Sequence, residues 1–200
     1  MKRFLALALA AGLLAVPARA SFSDVMAWDW SAPAVNYVQT KGIMNGVGGE
    51  RFDPYGTVSR GMLATVLHRE AGAPHSTAGL FFDDLETGSW YIDSVIWCAE
   101  MGVVTGVDAN HFCPNDPVTR EQLALMLWRL AGWPQAQGSA DGFADAGQIS
   151  WRAKGGVDWA VGAGIVSGKP DGTFIPQGTA TRSEAAQMLM KFDRWRAAQG

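Results

Sequence analysis

The sequence predicts a mainly α-helical protein of three helix–loop–helix repeats, in a pseudo-threefold arrangement around a central three-helix bundle, with short hairpin-like loops. An arginine preceded by Ser or Thr lies six residues after a proline three times: Arg60, Arg120 and Arg182. A tryptophan follows a phenylalanine by eight residues three times: Trp30, Trp90 and Trp151. Apolar residues with a helical period follow each arginine. Self-similarity at a nearly constant spacing is typical of tandem repeats.

Each arginine stands at a predicted helix N-terminus. A hydroxyl residue precedes it and can accept a free backbone N–H of the first turn: Ser59, Thr119 and Thr181. Glu184 and Gln122 are placed to complete capping boxes, whereas Met62 cannot. A cation in the first turn opposes the helix macrodipole. The repeated arginine therefore indicates either a function or an ion pair with a loop carboxylate such as Asp116.

The remaining positions of the repeat are also conserved between its copies. Glycine is expected just after each first helix, at Gly42, Gly102 and Gly164. A second glycine, at Gly46, Gly106 and Gly168, precedes a tight turn, and Asp171-Gly172 favours hairpin-like pairing. The second helices are the more apolar, so we expect them to meet on a common axis with the first helices outside. The predicted boundaries are 21–73, 80–133 and 141–196.

Residues 1–20 have the pattern of a secretory signal peptide: Lys2 and Arg3, an apolar run, and Ala18-Arg19-Ala20. Their removal takes away three cations and no acid, so the formal charge falls from −3 to −6. We therefore expect an exported protein with no membrane span, no nucleic-acid partner and no cofactor. Export permits a disulfide between Cys98 and Cys113, but two free thiols are an equal alternative.

Taken together, the F-x-D, tryptophan, G-I-x-x-G, F-x-P and T-R-A-E elements resemble the S-layer homology (SLH) domain. The resemblance covers Phe22 to about Trp195, in three tandem copies. It implies a mostly helical module that is secreted, associates with the cell wall or S-layer, and binds an anionic, often pyruvylated, secondary cell-wall polysaccharide in grooves between repeats.

The resemblance also implies which residues bind the ligand. Arg60, Arg120 and Arg182 would contact an anionic substituent, for which a planar guanidinium is suited. Trp30, Trp90 and Trp151 would offer a wall to a sugar, or seat the first helix. Gly46, Gly106 and Gly168 would let the backbone approach the ligand, or satisfy the turn. Asp24, Asp84 and Asp145 would contribute to the site, or serve as caps or arginine partners.

The repeats depart from the pattern to different degrees. Repeat 1 has Gly61 and Met62 where the motif has a helix former and an acid, and repeat 3 has one extra residue near Trp151. We therefore expect the groove organised by Arg120 to be the most competent.

Three other functions were weighed against polysaccharide binding. The adjacent acids Asp83 and Asp84 are commonplace in loops, and the histidines lack metal-ligand spacing, so no enzyme and no metal site is predicted. The segments 108–110 and 171–173 resemble calcium loops but lack the full ligand series. An adaptor that binds an envelope protein, for instance through Trp133 or Trp195, is the main alternative. A monomer is expected.

Overall fold

The computed structural model describes residues 22–79 and 81–200, and the predicted signal peptide lies outside them. Within these ranges the chain forms six α-helices and no extended strand: α1 (Ala32–Thr40), α2 (Arg60–Glu70), α3 (Ile92–Glu100), α4 (Arg120–Leu130), α5 (Lys154–Gly162) and α6 (Arg182–Ala197). Short 3-10 turns occupy Ala140–Gly142 and Ala146–Gln148. None of the helices described is long and apolar enough to cross a bilayer.

The local signals of the sequence correspond to the observed helix ends. Capping boxes join Thr119 to Gln122 and Thr181 to Glu184, whereas repeat 1 has only the single cap from Ser59 to the Met62 amide. Glycines with positive φ follow α1, α3 and α5. The hairpin-like loops are confirmed by backbone pairing, as in the 2.7 Å hydrogen bond from Lys169 N to Thr173 O.

Helix packing links each repeat to the next. The most extensive helix contacts are α2 with α3, α4 with α5, and α6 with α1, so each second helix packs on the first helix of the following repeat. Direct contact between second helices is much smaller and is found mainly between α2 and α4. A central three-helix bundle is therefore not confirmed, and the overall pseudo-threefold arrangement stays a prediction.

The loops before the second helices meet in a closed cycle of backbone hydrogen bonds. Val58 N donates to Ala180 O (3.1 Å), Ala180 N to Val118 O (2.9 Å), and Val118 N to Val58 O (2.8 Å). All three residues belong to different repeats and are buried or nearly so. The cycle joins repeat 3 back to repeat 1, which ties the two ends of the repeat array together.

The repeated arginines connect the same three repeats through their side chains. Nε donates to the carbonyl of a phenylalanine in the next repeat, from Arg60 to Phe112, Arg120 to Phe174 and Arg182 to Phe52, at 2.6–2.7 Å. Each guanidinium also lies over the ring of that phenylalanine. The arginines are only 5–7 % exposed. They therefore hold the repeats together, whatever else they do, and Asp116 is not the side-chain partner of Arg60.

The aspartates of the F-x-D elements hold the loop that carries this phenylalanine. Asp84 accepts hydrogen bonds from Phe112 N (2.8 Å) and Cys113 N (2.7 Å), and Asp24 and Asp145 make the corresponding pairs. Cys113 has φ of 56°, a left-handed conformation that costs a non-glycine residue free energy. Burial acts to raise the pKa of Asp84, but the backbone donors prevail and hold it below its usual value.

A partly buried ionic cluster lies at the seam between repeats 3 and 1, with its acids buried and its cations exposed. Arg196 lies on the long helix α6, and its Nη2 is 2.7 Å from Glu70 Oε1 and 3.2 Å from Asp193 Oδ1. Asp193 also accepts from the Tyr37 hydroxyl and pairs with Lys41, both near the end of repeat 1's first helix. The Glu70 side chain is only 1 % exposed, and burial raises its pKa to about 7 although Arg196 acts in the opposite direction.

Asp84→Ala is expected to lower the free energy of unfolding by about 1–3 kcal/mol, because two backbone amides lose their acceptor. Asp83→Ala is the matched control, since Asp83 is its exposed neighbour and its side chain accepts neither amide. Urea unfolding followed by circular dichroism measures both variants. Equal stability of the two would contradict the structural role of Asp84.

Glu70 is expected to make stability depend on pH near neutrality. Its folded-state pKa of about 7 exceeds the reference value of 4.5, so the folded protein retains a proton that the unfolded chain releases. The resulting stabilisation is fully present below about pH 4.5 and is lost as the pH rises through about 7. Urea titrations from pH 4.5 to 8 should show a fall on the order of 2 kcal/mol that is absent from Glu70→Gln. If the free energy of unfolding changed with pH to the same extent in wild type and variant, Glu70 would be excluded as the source of the pH dependence.

Candidate functional site

Two cavities lie where neighbouring repeats meet, and each contains one of the repeated arginines and one of the repeated tryptophans. The repeat-1 cavity has a volume of ≈ 390 Å³ and is lined by Met44–Val47, Met62, Thr65, Val66, Arg69, Trp90 and Arg182. The repeat-3 cavity, of ≈ 380 Å³, is lined by Ile165–Pro170, Glu184, Gln187, Met188, Lys191, Trp30 and Arg120.

The linings correspond position by position. In each cavity the loop after a first helix and one face of a second helix come from the same repeat, the arginine comes from the preceding repeat in the cycle, and the tryptophan comes from the following one. Sequence spacing alone predicted the types of residue in the lining but not which repeat supplies each of them. Arg60 and Trp151 line neither cavity, although they are the corresponding residues for a third groove on repeat 2.

The guanidinium groups that line the cavities use part of their hydrogen-bonding capacity in the scaffold. In the repeat-1 cavity, Arg182 Nη2 donates to Asn45 O at 2.7 Å, while Nη1 has no protein partner in the described chain. In the repeat-3 cavity, Arg120 Nη1 pairs with Glu184 Oε1 at 2.7 Å. Burial lowers the pKa of Arg182, opposed by the nearby Asp53 and Asp24. Arginine nevertheless remains a cation at physiological pH.

The tryptophans are exposed. Trp30, Trp90 and Trp151 keep 57, 63 and 82 % of their surface in contact with solvent. The alternative, aromatic packing that seats the first helix, stays open: Trp90 still contacts Tyr91, at the start of α3, with a ring-centroid distance of 5.2 Å. Trp30 and Trp90 form walls of the two cavities, where a flat aromatic face suits an apolar face of a ligand.

The second glycines of the repeats have a steric reason that needs no ligand. A Cβ on Gly46 would lie 2.6 Å from the Phe22 ring and from Arg51 O, and Gly106 and Gly168 meet equally close neighbours. Gly46 and Gly168 also line the two cavities. The turn therefore requires glycine, and no side chain projects from this position of the cavity wall.

The three aspartates stand apart from the cavities. Asp24, Asp84 and Asp145 line neither cavity, and their carboxylate oxygens accept backbone amides. Their side chains cap none of the described helices. Arg51 Nε lies 3.6 Å from Asp24 Oδ2, and the charges of Asp24 and Asp84 act on Arg182 and Arg60 without a direct ion pair. A direct ligand role has no geometric support, because these oxygens are already engaged.

The calcium-like segments are turns, as expected. Asp108 accepts the amides of Asn110 and His111, and Asp171 accepts the amide of Thr173. No cluster of three or more potential metal ligands occurs in residues 22–79 and 81–200. Cys98 and Cys113 are free thiols, and burial raises the pKa of Cys98 to about 12.

Sequence reasoning missed a second cation in each cavity. Arg69 and Lys191 lie on the second helices, nine residues after Arg60 and Arg182 respectively, and Arg129 is their counterpart on α4. A search for charges at a fixed distance from the repeated arginine would have found them. Lys169 was also missed, because it occupies a loop position that is apolar in repeats 1 and 2.

Comparison with known proteins gives a consistent result. The sequence profile of the S-layer homology domain matches residues 21–61, 81–124 and 142–186. An S-layer protein of Bacillus thuringiensis subsp. finitimus is 29 % identical over 94 % of the chain, and an amylopullulanase of Thermoanaerobacterium thermosulfurigenes is 28 % identical over 84 %. Exoglucanase XynX of Acetivibrio thermocellus is 27 % identical over 84 %.

The match covers 23 % of the S-layer protein, 9 % of the amylopullulanase and 16 % of the exoglucanase, so the chain spans less than a quarter of each of these relatives. What they share with it is the repeated segment, and the profile matches well over half of the chain in the three places where the repeats were predicted. The chain belongs to the S-layer homology domain family.

Proposed function

We propose that the protein is exported and attaches noncovalently to the bacterial cell envelope by binding an anionic secondary cell-wall polysaccharide in the cavities between its repeats. The observation that carries the proposal is the presence of two corresponding cavities, each with an aromatic wall and at least two cations: Arg69 and Arg182 in one, Arg120, Lys169 and Lys191 in the other. A polymer with repeating units can engage both at once, and such linkage raises the overall affinity above that of either site.

The chemistry of the cavities supports an anionic sugar as the ligand. The indoles of Trp30 and Trp90 provide apolar surface, and the guanidinium and ammonium groups provide donors for a carboxylate or an acidic ketal. The formal charge of the chain is negative, so these cations act locally against the overall field. A pyruvylated sugar combines the required negative charge with a sugar ring.

The comparisons support a role in attachment rather than a shared reaction. The relatives include an S-layer protein and two enzymes, and the matched part is a small share of each. We infer that the protein is not itself an enzyme and that the repeats serve the cell surface in each case. Such a role fits the signal-peptide pattern of residues 1–20.

The exposed tryptophans allow a cleaner test than the arginines. Replacing Arg120 or Arg182 would remove a buried link between repeats along with any ligand contact. Replacing a tryptophan that is more than half exposed is expected to change stability by only about 0.5 kcal/mol. Loss of binding in such a variant then reports on the cavity itself.

Trp30→Ala/Trp90→Ala is expected to weaken cosedimentation of the mature chain with purified cell walls by at least tenfold, about 1.4 kcal/mol. Walls stripped chemically of the secondary polymer should bind neither wild type nor variant. Trp28→Ala is the matched control, because Trp28 is also a largely exposed tryptophan but lines neither cavity. Undiminished binding to stripped walls would contradict polysaccharide recognition and point instead to a protein of the envelope.

The groove of Arg120 is expected to contribute more than that of Arg60. Arg120 lines a cavity together with Trp30, whereas Arg60 and Trp151 line neither of the two cavities. Trp30→Ala should therefore reduce wall binding more than Trp151→Ala, measured in the same assay with circular dichroism as the check on folding. A larger loss from Trp151→Ala would reverse this ranking.

Binding of an envelope protein remains the alternative, and the observation in its favour is exposed aromatic surface outside the cavities. Trp28 and Tyr55 are 83 and 74 % exposed. Of the two tryptophans expected to mark a partner surface, Trp133 is half exposed, but Trp195 packs against Trp159 and Phe192. A loss of binding in Trp28→Ala, with none in the cavity variants, would favour this alternative.

A further inference from the structure

A third cavity lies between the end of α5, the end of α6 and the linker that joins repeats 2 and 3. Its volume is ≈ 200 Å³. Trp159 and Trp195 form the aromatic part of its lining, and Gln135, Gln137 and Gln199 contribute amide groups. It shares no lining residue with the repeat-1 and repeat-3 cavities and contains none of the repeated arginines. It is therefore a separate site, which we call the linker cavity.

Two features of repeat 3 create the linker cavity. Helix α6 has 16 residues, whereas α2 and α4 have 11 each, and its additional turn carries Trp195. The Trp195 ring packs edge-on against Trp159 of α5, with a centroid distance of 5.1 Å. On the other side, Gly162 lets the linker lie directly on α5, because a Cβ there would be 2.6 Å from Gly138 N. Repeat 2 has Glu100 in the place of Gly162.

Hydrogen bonds hold both ends of the linker in place. At the first end, Pro134 O accepts from Trp128 Nε1 at 2.8 Å, which ties the linker to α4. At the second end, Ala140 N donates to Asp158 Oδ1 at 2.7 Å, which ties it to α5. The walls of the cavity are therefore formed without a ligand, so binding requires little further ordering of the chain.

A buried donor without a partner lies in the wall of the linker cavity. Trp159 is only 3 % exposed, and its indole N–H makes no hydrogen bond within residues 22–79 and 81–200. The nitrogen is not sealed from solvent, so a small molecule in the cavity can reach it. Because an indole nitrogen can only donate, the ligand that suits it carries an oxygen acceptor.

The remaining lining indicates the class of ligand. No charged side chain of the described chain lines the linker cavity, so an ionic ligand would find no counter-ion there. The amides of Gln135 and Gln137 make no hydrogen bond within the described residues, and each offers donors and an acceptor. The indoles add apolar surface. Sites for drug-sized ligands measure about 300–1,000 Å³, so this cavity suits a single ring better than an extended peptide.

We propose that the linker cavity binds one uncharged sugar ring. The Trp159 N–H donates to a sugar oxygen, the Trp195 indole contacts the apolar face of the ring, and the amides of Gln135 and Gln137 bind its hydroxyl groups. The inference does not depend on the proposed function, because none of these residues lines the repeat-1 or repeat-3 cavity. The protein can therefore hold an uncharged glycan at repeat 3 whether or not those cavities are occupied.

The indole N–H resonance of Trp159 reports directly on this site, and Trp159→Phe identifies it in the NMR spectrum. The probes are the methyl glycosides of glucose, galactose and mannose, together with N-acetylglucosamine. At least one should shift the Trp159 and Trp195 resonances, with a Kd on the order of 1–10 mM for so small a ligand. Trp97 is the internal control, because it holds the same position in repeat 2, is similarly buried and lines none of the three cavities.

Substitutions at the exposed rim test the site without disturbing the core. Gln135→Ala/Gln137→Ala is expected to raise the Kd at least about fivefold, because two hydrogen bonds to the sugar are lost. Gln148→Ala is the matched control, since Gln148 is also exposed but lines none of the three cavities. The Kd should change less than about twofold between 0.05 and 0.5 M NaCl, because salt screens only charged groups. An unchanged Kd in the double variant would overturn the inference.

Three further results would also overturn the inference. The first is that none of the sugars shifts the Trp159 resonance at about 50 mM, well above the expected Kd. The second is that Trp97 responds as strongly as Trp159, which would show a nonspecific effect. The third is that hexaproline shifts Trp159 while no sugar does, which would make the cavity a peptide site. Trp30→Ala/Trp90→Ala should leave the Kd unchanged, so this test and the wall-binding test succeed or fail separately.

Discussion

The structure depends on a buried guanidinium that each repeat extends into the next. Its Nε donates to the main chain beside a phenylalanine, and its plane covers the ring of that same residue. A buried carbonyl without a donor is costly, so the contact specifies how two repeats meet. Because repeat 3 makes the contact with repeat 1, the last link completes a cycle instead of leaving one end free.

The cavities proposed as binding sites lie at the seams that these arginines connect. Arg182 lines its cavity while its Nε and Nη2 donate to main-chain carbonyls, so scaffold contacts hold its guanidinium in place. A group held in this way loses little conformational freedom when a ligand binds. The tryptophans of the cavity walls come from the following repeat, and because they are more than half exposed they contribute little to the packing of the fold. The arginine therefore contributes both to the stability of the fold and to the proposed binding site, whereas the tryptophan contributes mainly to the proposed site.

The three seams are not equivalent, because the repeats have diverged at a few positions. Met62, Gln122 and Glu184 occupy the same helical place, yet only Glu184 pairs with the arginine of its cavity. The seam between repeats 3 and 1 also carries the ionic cluster of the buried Glu70 and Asp193 with the exposed Arg196, which the longer helix α6 makes possible. One repeated fold therefore presents distinct chemical surfaces.

Most of the local structure could be predicted from the sequence. The capping residues before α2, α4 and α6 and the glycines after α1, α3 and α5 act on their own backbone within a few residues. The pattern of anchors likewise identified the repeats and the family, because it records the same local requirement three times. The sequence did not indicate that the aspartates of F-x-D accept backbone amides about 28 residues away.

Only the tertiary structure decided which repeat each side chain serves. In the sequence, Arg60 belongs to the same repeat as the helix that it begins. Its guanidinium nevertheless donates to the carbonyl of Phe112, 52 residues further on, in the next repeat. Packing of each second helix on the following first helix, rather than on its own repeat, depends on the summed fit of many surfaces. The second cations of the cavities, in contrast, recur nine residues after each repeated arginine and could have been found in the sequence. By itself the sequence determined the helices, their ends and the repeat, since those follow from short-range hydrogen bonding and periodicity. The tertiary structure decided the seams and the cavities, since these require residues far apart in the chain to meet.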